Sequence, residues 1–325
     1  MTRSVVIRER STCPEVLAQR LRVRHKAPVT AHALVFVANP DDKPAYREAL
    51  LMLGRVALTR KLPPPDVLSG WEAAEWIYPE VDGDLRQEAG AAVAEMPVDW
   101  ALVPVAGRRK KLLVADMDST IIGCECLDEL ADYAGIKPEI AAITERAMRG
   151  ELEFEPALIE RVAKLKGLPI ADLQLCYDQR VKLNPGAETL VKTMAAHDAR
   201  CVLVSGGFTF FTSRVAAAAG FHADFANTLL DDGKTLTGEV GRPILGREAK
   251  LSRLQAEAAA MSATPGEALA IGDGANDLAM IKAAGLGIAY RAKPIVSAEA
   301  HARIDHTSLA TALFFQGYRR SEFTA

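Results

Sequence analysis

From residue 111 onward, short apolar runs alternate with amphipathic stretches. "KLLVADM", "RCVLVSGG", "ALAIGDG" and "LGIAY" are near-continuous apolar runs of strand length, the pattern of strands buried on both faces of a parallel sheet. The alternation predicts an α/β fold, its sheet covered by helices on both sides. Each of the first three strands runs into polar or glycine residues at its carboxyl end, where open α/β sheets bind ligands. Three loops are therefore expected to converge on one crevice. Between the first and second of these strands lie about 80 residues that read as helices only, among them "CLDELADYAG", "PEIAAITERAMRG" and "FEPALIERVAKLKG". That is too long for a single crossover and predicts a helical cap at about residues 124–184, inserted after the first core strand and lying over the strand ends as a lid.

Before residue 107 the pattern is mixed. "SVVIRE" and "AHALVFVA" read as strands, and "TCPEVLAQRLRV" as a helix opened by a capping box from Thr12 to Glu15. "KPAYREALLMLGRVAL" reads as a second helix, "LPPPD" as a break and "DWALVPV" as a closing strand. These elements predict a small α+β accessory domain over residues 1–105, of ferredoxin-like or ACT-like kind, followed by the main domain over 107–325. No catalytic constellation and no convincing ligand site are found in it, and a structural or dimer-forming role is expected as much as a regulatory, amino-acid-binding one. A chain starting near residue 107 is then expected to keep its activity, apart from losses due to poorer folding. The basic run Arg108 to Lys111 reads as a solvated approach to a strand.

Composition narrows the class. A length of 325 residues fits about two domains, and 49% apolar with 25% charged residues fits a globular protein. A formal charge of -3 argues against nucleic acid as a partner. Neither a signal-peptide core nor an apolar run of membrane-spanning length is found, so a cytoplasmic protein without a membrane partner is expected. Five cysteines without a C-x-x-C pair fit reduced thiols, with Cys124 and Cys126 read as small packers.

The chemistry lies in the three loops. In "DMDST", Asp116 and Asp118 are two residues apart, so on an extended chain both carboxylates point to one side. Such a pair calls for a bridging cation or a retained proton, although an acidic turn closing a strand has the same composition. "VSGGF" offers the Ser205 hydroxyl and the amides of Gly206 and Gly207 before a helix, an anion cradle unless the glycines serve only a tight turn. "GDGAND" brings Asp273, Asn276 and Asp277, which could equally be an Asx-rich helix cap. Lys250 could neutralise phosphate, although a lone helical lysine is ordinarily solvated. Taken together, Asp116, Asp118 and Asp273 supply hard oxygens for Mg²⁺, while Ser205, the glycine amides and Lys250 supply donors for phosphoryl oxygens. A free carboxylate beside them makes phosphoryl transfer through an aspartyl-phosphate the expected chemistry.

"DMDST", "VSGG", Lys250 and "GDGAND" resemble, in order, the four motifs of the haloacid dehalogenase superfamily of phosphatases, whose core is a Rossmann-like parallel sheet. The resemblance extends over most of residues 110–310, through "AMRGELEFEPALIERVAKLKG" and "FANTLLDDGKTLTGEV", to the branch that hydrolyses L-phosphoserine in serine biosynthesis. It implies that Asp116 is the nucleophile and Asp118 the acid and base. It implies Mg²⁺ held by Asp116, Asp273 and the main chain of Asp118, with Asp277 supporting the metal from behind. Ser205, Gly206 and Lys250 would hold the phosphate, and Asn276 would assist substrate and metal site alike. In the cap, Glu125 and Arg161 match positions that grip the ammonium and carboxylate of serine, with Met148 and Phe154 closing over them. A zwitterion needs one fixed anion and one fixed cation. Alternatives are a phosphotransferase to homoserine, a phosphatase of another small phosphomonoester, and a non-enzymatic amino-acid sensor on an inactive phosphatase fold.

Overall fold

A computed structural model describes residues 30–149 and 151–324. The strand read in "SVVIRE" and the capped helix at 12–23 lie outside the described residues. The amino-terminal unit runs β1 (His32–Ala38), α1 (Lys43–Thr59), β2 (Asp66–Ser69), β3 (Ala73–Tyr78), α2 (Leu85–Ala92) and β4 (Val98–Pro104). Its strands form an antiparallel sheet in the order β2-β3-β1-β4. Helix α1 begins where the Asp42 carboxylate accepts the Ala45 N–H at 3.0 Å, with Pro44 in the first turn. Leu34, Phe36 and Ala38 of β1 pack with Ala49 and Leu53 of α1, as the two-residue period of a strand requires.

The alternate residues of β1, Ala33, Val35 and Val37, pack into the main core with Leu309, Ala312, Phe314 and Phe315. The accessory sheet is thus covered on its second face by the carboxyl-terminal part of the chain. Buried Asp99 of β4 reinforces the joint, its carboxylate accepting the N–H groups of Asp305 at 2.8 Å and Thr307 at 2.9 Å. The basic run expected to be solvated also serves this joint. Arg108 is paired with Glu75 at 2.5 Å, both largely buried, Arg109 with Glu322 at 2.8 Å, and the Lys110 ammonium with the carbonyls of Gly107 and Gly266. Arg108 and Arg109 met partners far away in sequence, which local charge density does not reveal.

The main unit begins with β5 (Leu112–Ala115) and passes through α3 (Cys126–Tyr133), α4 (Lys137–Met148), α5 (Phe154–Ala163) and α6 (Ile170–Arg180). It continues through α7 (Ala187–Ala196), β6 (Arg200–Phe208), α8 (Thr209–Ala219), β7 (Ala223–Asn227), β8 (Leu229–Asp231) and β9 (Leu236–Val240). Then come α9 (Ala249–Ala260), β10 (Ala268–Gly272), α10 (Leu278–Ala283), β11 (Leu286–Tyr290), α11 (Pro294–Glu299), β12 (Ala302–Ile304) and α12 (Thr311–Phe315). Six strands form a parallel sheet in the order β12-β11-β10-β5-β6-β7. Leu113, Ala115, Leu203 and Ile271 face Leu190, Val191, Phe211 and Leu313 on one side. Leu112, Val114, Val202 and Ala270 face Leu254, Ala258, Met280 and Val296 on the other. Apolar residues on both faces are why these strands read as unbroken runs.

Helices α3 to α6 form the cap. The turn between α5 and α6 is not free, because the hairpin of β8 and β9 is laced to it. Gly167 N–H donates to Leu236 O at 2.8 Å, Leu236 N–H to Leu168 O at 2.9 Å, and Ile170 N–H to Lys234 O at 2.9 Å. Gly238, at φ +81°, allows the close approach: a Cβ there would lie 2.9 Å from Lys166 Cβ.

Candidate active site

The carboxyl ends of β5, β6 and β10 meet beneath the cap around a cavity of about 320 Å³. Asp116 leaves β5 with its N–H donating to Ile271 O at 3.0 Å, and its carboxylate accepts the Met117 N–H at 2.8 Å. Asp116 and Asp118 are both in extended conformation, and Ser119 then turns the chain at φ +56°. The Ser119 hydroxyl donates to Glu125 at 2.7 Å, which ties the turn to the start of α3.

The two aspartates share the cavity but not their partners. Asp116 faces the Lys250 ammonium at 2.6 Å, and Lys250 reaches Asp277 at 2.5 Å. Asp118 accepts the Cys126 N–H at 2.9 Å on one oxygen and the Ser205 hydroxyl at 3.0 Å on the other. Separate donor sets offset the like-charge repulsion, although Asp118 still adds to the upward push on Asp116. Ser205 in turn accepts the Gly207 N–H at 2.8 Å, so the β6 loop orients the hydroxyl beside Asp118. Behind it, Asn227 donates to Gly206 O at 2.9 Å and accepts the Leu245 N–H at 2.7 Å.

Burial decides the proton affinities. It raises Asp118 to about 6, with Glu125 adding to the rise and the Cys126 and Ser205 donors opposing it. Burial and then Asp277 push Asp116 upward, against the pull of Lys250. Burial works against the Lys250 ammonium, yet Asp116 and Asp277 hold it above its ordinary value. Asp273 is also raised, by burial first and then by Asp277, while Thr120 donates to it at 3.2 Å.

Carboxylate oxygens of Asp116, Asp273 and Asp277 lie within 4.8 Å of one another. Asp116 and Asp273 turn hard anionic oxygens to the cavity and suit a small divalent cation such as Mg²⁺, whereas the Asp277 oxygens are engaged by Lys250 and the Gly274 N–H and stand behind them.

Asp116, Asp118, Glu125, Phe154, Arg161, Ser205, Gly206, Asp273 and Asn276 all line the cavity. Lys250 and Asp277 do not line it; both are buried behind Asp116. Phe154 is 39% exposed at the mouth and lies over Gly206, its ring 3.5 Å from where a Cβ would project. Arg161 donates through Nε to Ala157 O at 3.2 Å; burial lowers its proton affinity while Asp128 and Glu125 oppose the fall. The side chain of Met148 lies outside what the structure describes.

Sequence reasoning passed over Thr120, Asp128, Asn184, Asn227 and Lys293. Asn184 donates to Thr120 O at 2.7 Å from the far end of the cap segment. Thr120 and Asn227 stand inside the quoted motifs, and a search for side chains able to brace a loop would have found them. Another cavity, of about 400 Å³, lies between α2 and β12, but its buried carboxylate, Asp99, is already engaged by residues 305–307.

The parallel sheet, the inserted cap and the acidic cluster define a phosphoryl-transfer type of hydrolase, and the family model of haloacid dehalogenase-like hydrolases matches residues 113–282. The chain belongs to that family. It is 45% identical over 204 residues to the phosphoserine phosphatase of Polaromonas sp. (strain JS666), covering 61% of this chain and 86% of that protein. It is 34% identical to phosphoserine phosphatase SerB2 of Mycobacterium tuberculosis over 99% of this chain and 87% of that protein. A crystal structure of a HAD family hydrolase from Salmonella enterica superposes with a TM-score of 0.77 at 27% identity, covering 88% of this chain and 98% of that one.

Proposed function

We propose that the chain is a Mg²⁺-dependent, cytoplasmic phosphatase that hydrolyses L-phosphoserine to L-serine and phosphate. The observation that carries the chemistry is the division of partners between the two aspartates: Asp116 lies against an ammonium, and Asp118 lies between a backbone amide and a hydroxyl. Asp116 is then free of the proton-transfer task and available as nucleophile. It attacks phosphorus to form an acyl phosphate, while Asp118 gives its proton to the departing serine oxygen. Water then attacks the acyl phosphate, Asp118 takes the proton back, and Asp116 is regenerated. A carboxyl held near 6 can serve in both directions close to neutral pH. Asp116, Asp273 and the main chain of Asp118 would hold Mg²⁺, with Asp277 behind them, and the bound ion would supply positive charge to the phosphoryl oxygens. Ser205 and the amide of Gly206 orient the phosphoryl group, with Asn276 beside it.

Substrate choice rests on the cap end of the cavity, where Glu125 and Asp128 stand near Arg161. A carboxylate for the ammonium and a guanidinium for the carboxylate suit an amino-acid head. The relatives named phosphoserine phosphatase support the same substrate. The test is release of phosphate from a panel of monoesters, with Mg²⁺ or with chelator, and with homoserine as an added acceptor. Preferred turnover of L-phosphoserine, dependent on Mg²⁺ and unaffected by acceptor, is expected. Phosphohomoserine as the main product would reassign the reaction to transfer.

A further inference from the structure

The cavity is lined by five carboxylates and by only two cationic side chains, Arg161 and Lys293. Lys250, the ammonium expected at the phosphate, sits behind this lining with Asp116 and Asp277 at 2.6 and 2.5 Å. Even with Mg²⁺ offsetting two of them, the carboxylates outnumber the cationic side chains an incoming phosphate dianion meets, and such a field slows the approach of an anion. Arg161 belongs to the cap. Lys293 belongs to the core side, and its backbone is fixed there: its N–H donates to Asp273 O at 3.1 Å, and its carbonyl accepts the Val296 N–H at 2.9 Å. Pro294 follows as the first residue of α11, which holds the chain direction at this point. The ammonium of Lys293 makes no ion pair or hydrogen bond among the described residues, so a flexible four-carbon stem is at liberty to bring it to a ligand.

We propose that Lys293 is a further substrate-positioning residue, which captures the phosphate group on entry and holds it on the core side of the cavity while Arg161 holds the other end. This rests on the phosphatase reading above. Lys293 reads phosphate and not the amino-acid head, so its effect is the same for every monoester and for inorganic phosphate. That distinguishes it from Arg161.

The experiment compares the wild type with Lys293→Met and Lys293→Arg in two measurements: calorimetric binding of inorganic phosphate with Mg²⁺ present, and steady-state kinetics on L-phosphoserine and nitrophenyl phosphate. Lys293→Met should weaken phosphate binding about fivefold and raise KM for both esters by a similar factor, with kcat changed less than about twofold. The dependence of kcat/KM on salt should become shallower. Lys293→Arg should restore all of these. Unchanged phosphate affinity in Lys293→Met, a loss confined to phosphoserine, or a loss in kcat alone would overturn the proposal. Binding of phosphate needs no turnover, so a wild type inactive on phosphoserine would refute the substrate reading while the calorimetry still decides the role of Lys293.

Discussion

Replacing Asp118 by Asn removes the titratable group with almost no change of volume, so the acid-base role can be separated from the architecture around it. In the protein one Asp118 oxygen accepts the Cys126 N–H at 2.9 Å and the other accepts the Ser205 hydroxyl at 3.0 Å. Asparagine keeps the first contact through its carbonyl. Its amide then faces Ser205 Oγ, which already accepts the Gly207 N–H at 2.8 Å but has a second lone pair. The fold therefore loses about 1 kcal/mol or less. Loss of a positioned acid and base costs about 10²–10⁴-fold, or about 2.7–5.4 kcal/mol of barrier. The two substrates separate the two roles. Serine leaves as a poor alkoxide and needs the proton, whereas nitrophenolate leaves without it. In Asp118→Asn, phosphoserine turnover should fall by about 10²-fold or more, while nitrophenyl phosphate still phosphorylates Asp116. A burst of nitrophenol equal to the enzyme concentration, with phosphate trapped on Asp116, is the expected record. The wild type adds a pH signature: Asp118 is raised to about 6, so its acid form is depleted as the pH climbs through that value. Phosphorylation by phosphoserine should decline above that point by about tenfold per pH unit, and phosphorylation by nitrophenyl phosphate should not follow it. An equal decline on both substrates in Asp118→Asn, with no trapped phosphoenzyme, would show that Asp118 acts through the metal site and not as acid and base.

Arg161→Ala should lower kcat/KM for phosphoserine by about 2–5 kcal/mol of lost charged contact while sparing esters without an amino-acid head; equal losses on both would remove Arg161 from substrate reading. Lys250→Met leaves Asp116 and Asp277 buried without their cation, so thermal unfolding in chelator should show about 3–5 kcal/mol of destabilisation. Mg²⁺ should recover part of it through preferential binding to the folded state, and an unchanged Tm would contradict the buried pairing. A chain beginning at residue 107 uncovers the core face otherwise packed by Ala33, Val35 and Val37. Each apolar side chain so exposed costs about 1.5–3 kcal/mol, so the shortened chain should melt well below the full one; equal Tm values would show the two units to be independent.

Four of the six parallel strands of the main sheet, β5, β6, β10 and β11, were legible because burial on both faces writes itself as an unbroken apolar run, and β11 is the quoted run "LGIAY" itself. The helices of the cap were legible from periodicity. Strands β2, β7, β8, β9 and β12 were not, since short runs such as "DVLS", "ADFAN" and "ARI" carry little apolar signal and are held by pairing with neighbours; β3, "AAEWIY", carries such a signal and was passed over. Asp116, Asp118, Ser205 and Asp273 stood out because a strand end followed by acids or glycines is a local pattern.

What the chain order by itself determined is which chemical groups stand at the ends of three strands, and hence the reaction class that an acidic loop, an anion cradle and a lysine together support. Which group meets which was decided only by the tertiary structure. Local spacing put Asp116 and Asp118 together; folding gave one an ammonium and the other a hydroxyl and an amide. Lys250 reads as an ordinary helical lysine, and packing buried it between Asp116 and Asp277. Lys293 carries no motif, yet the bond of its N–H to Asp273 O, beyond the end of β10, brought it to the cavity wall. Arg108 reads as a solvated cation, and it is paired with Glu75 across the joint between the two units. Charge interactions follow distance in space and the solvent left around each group, and neither is a property of sequence neighbourhood.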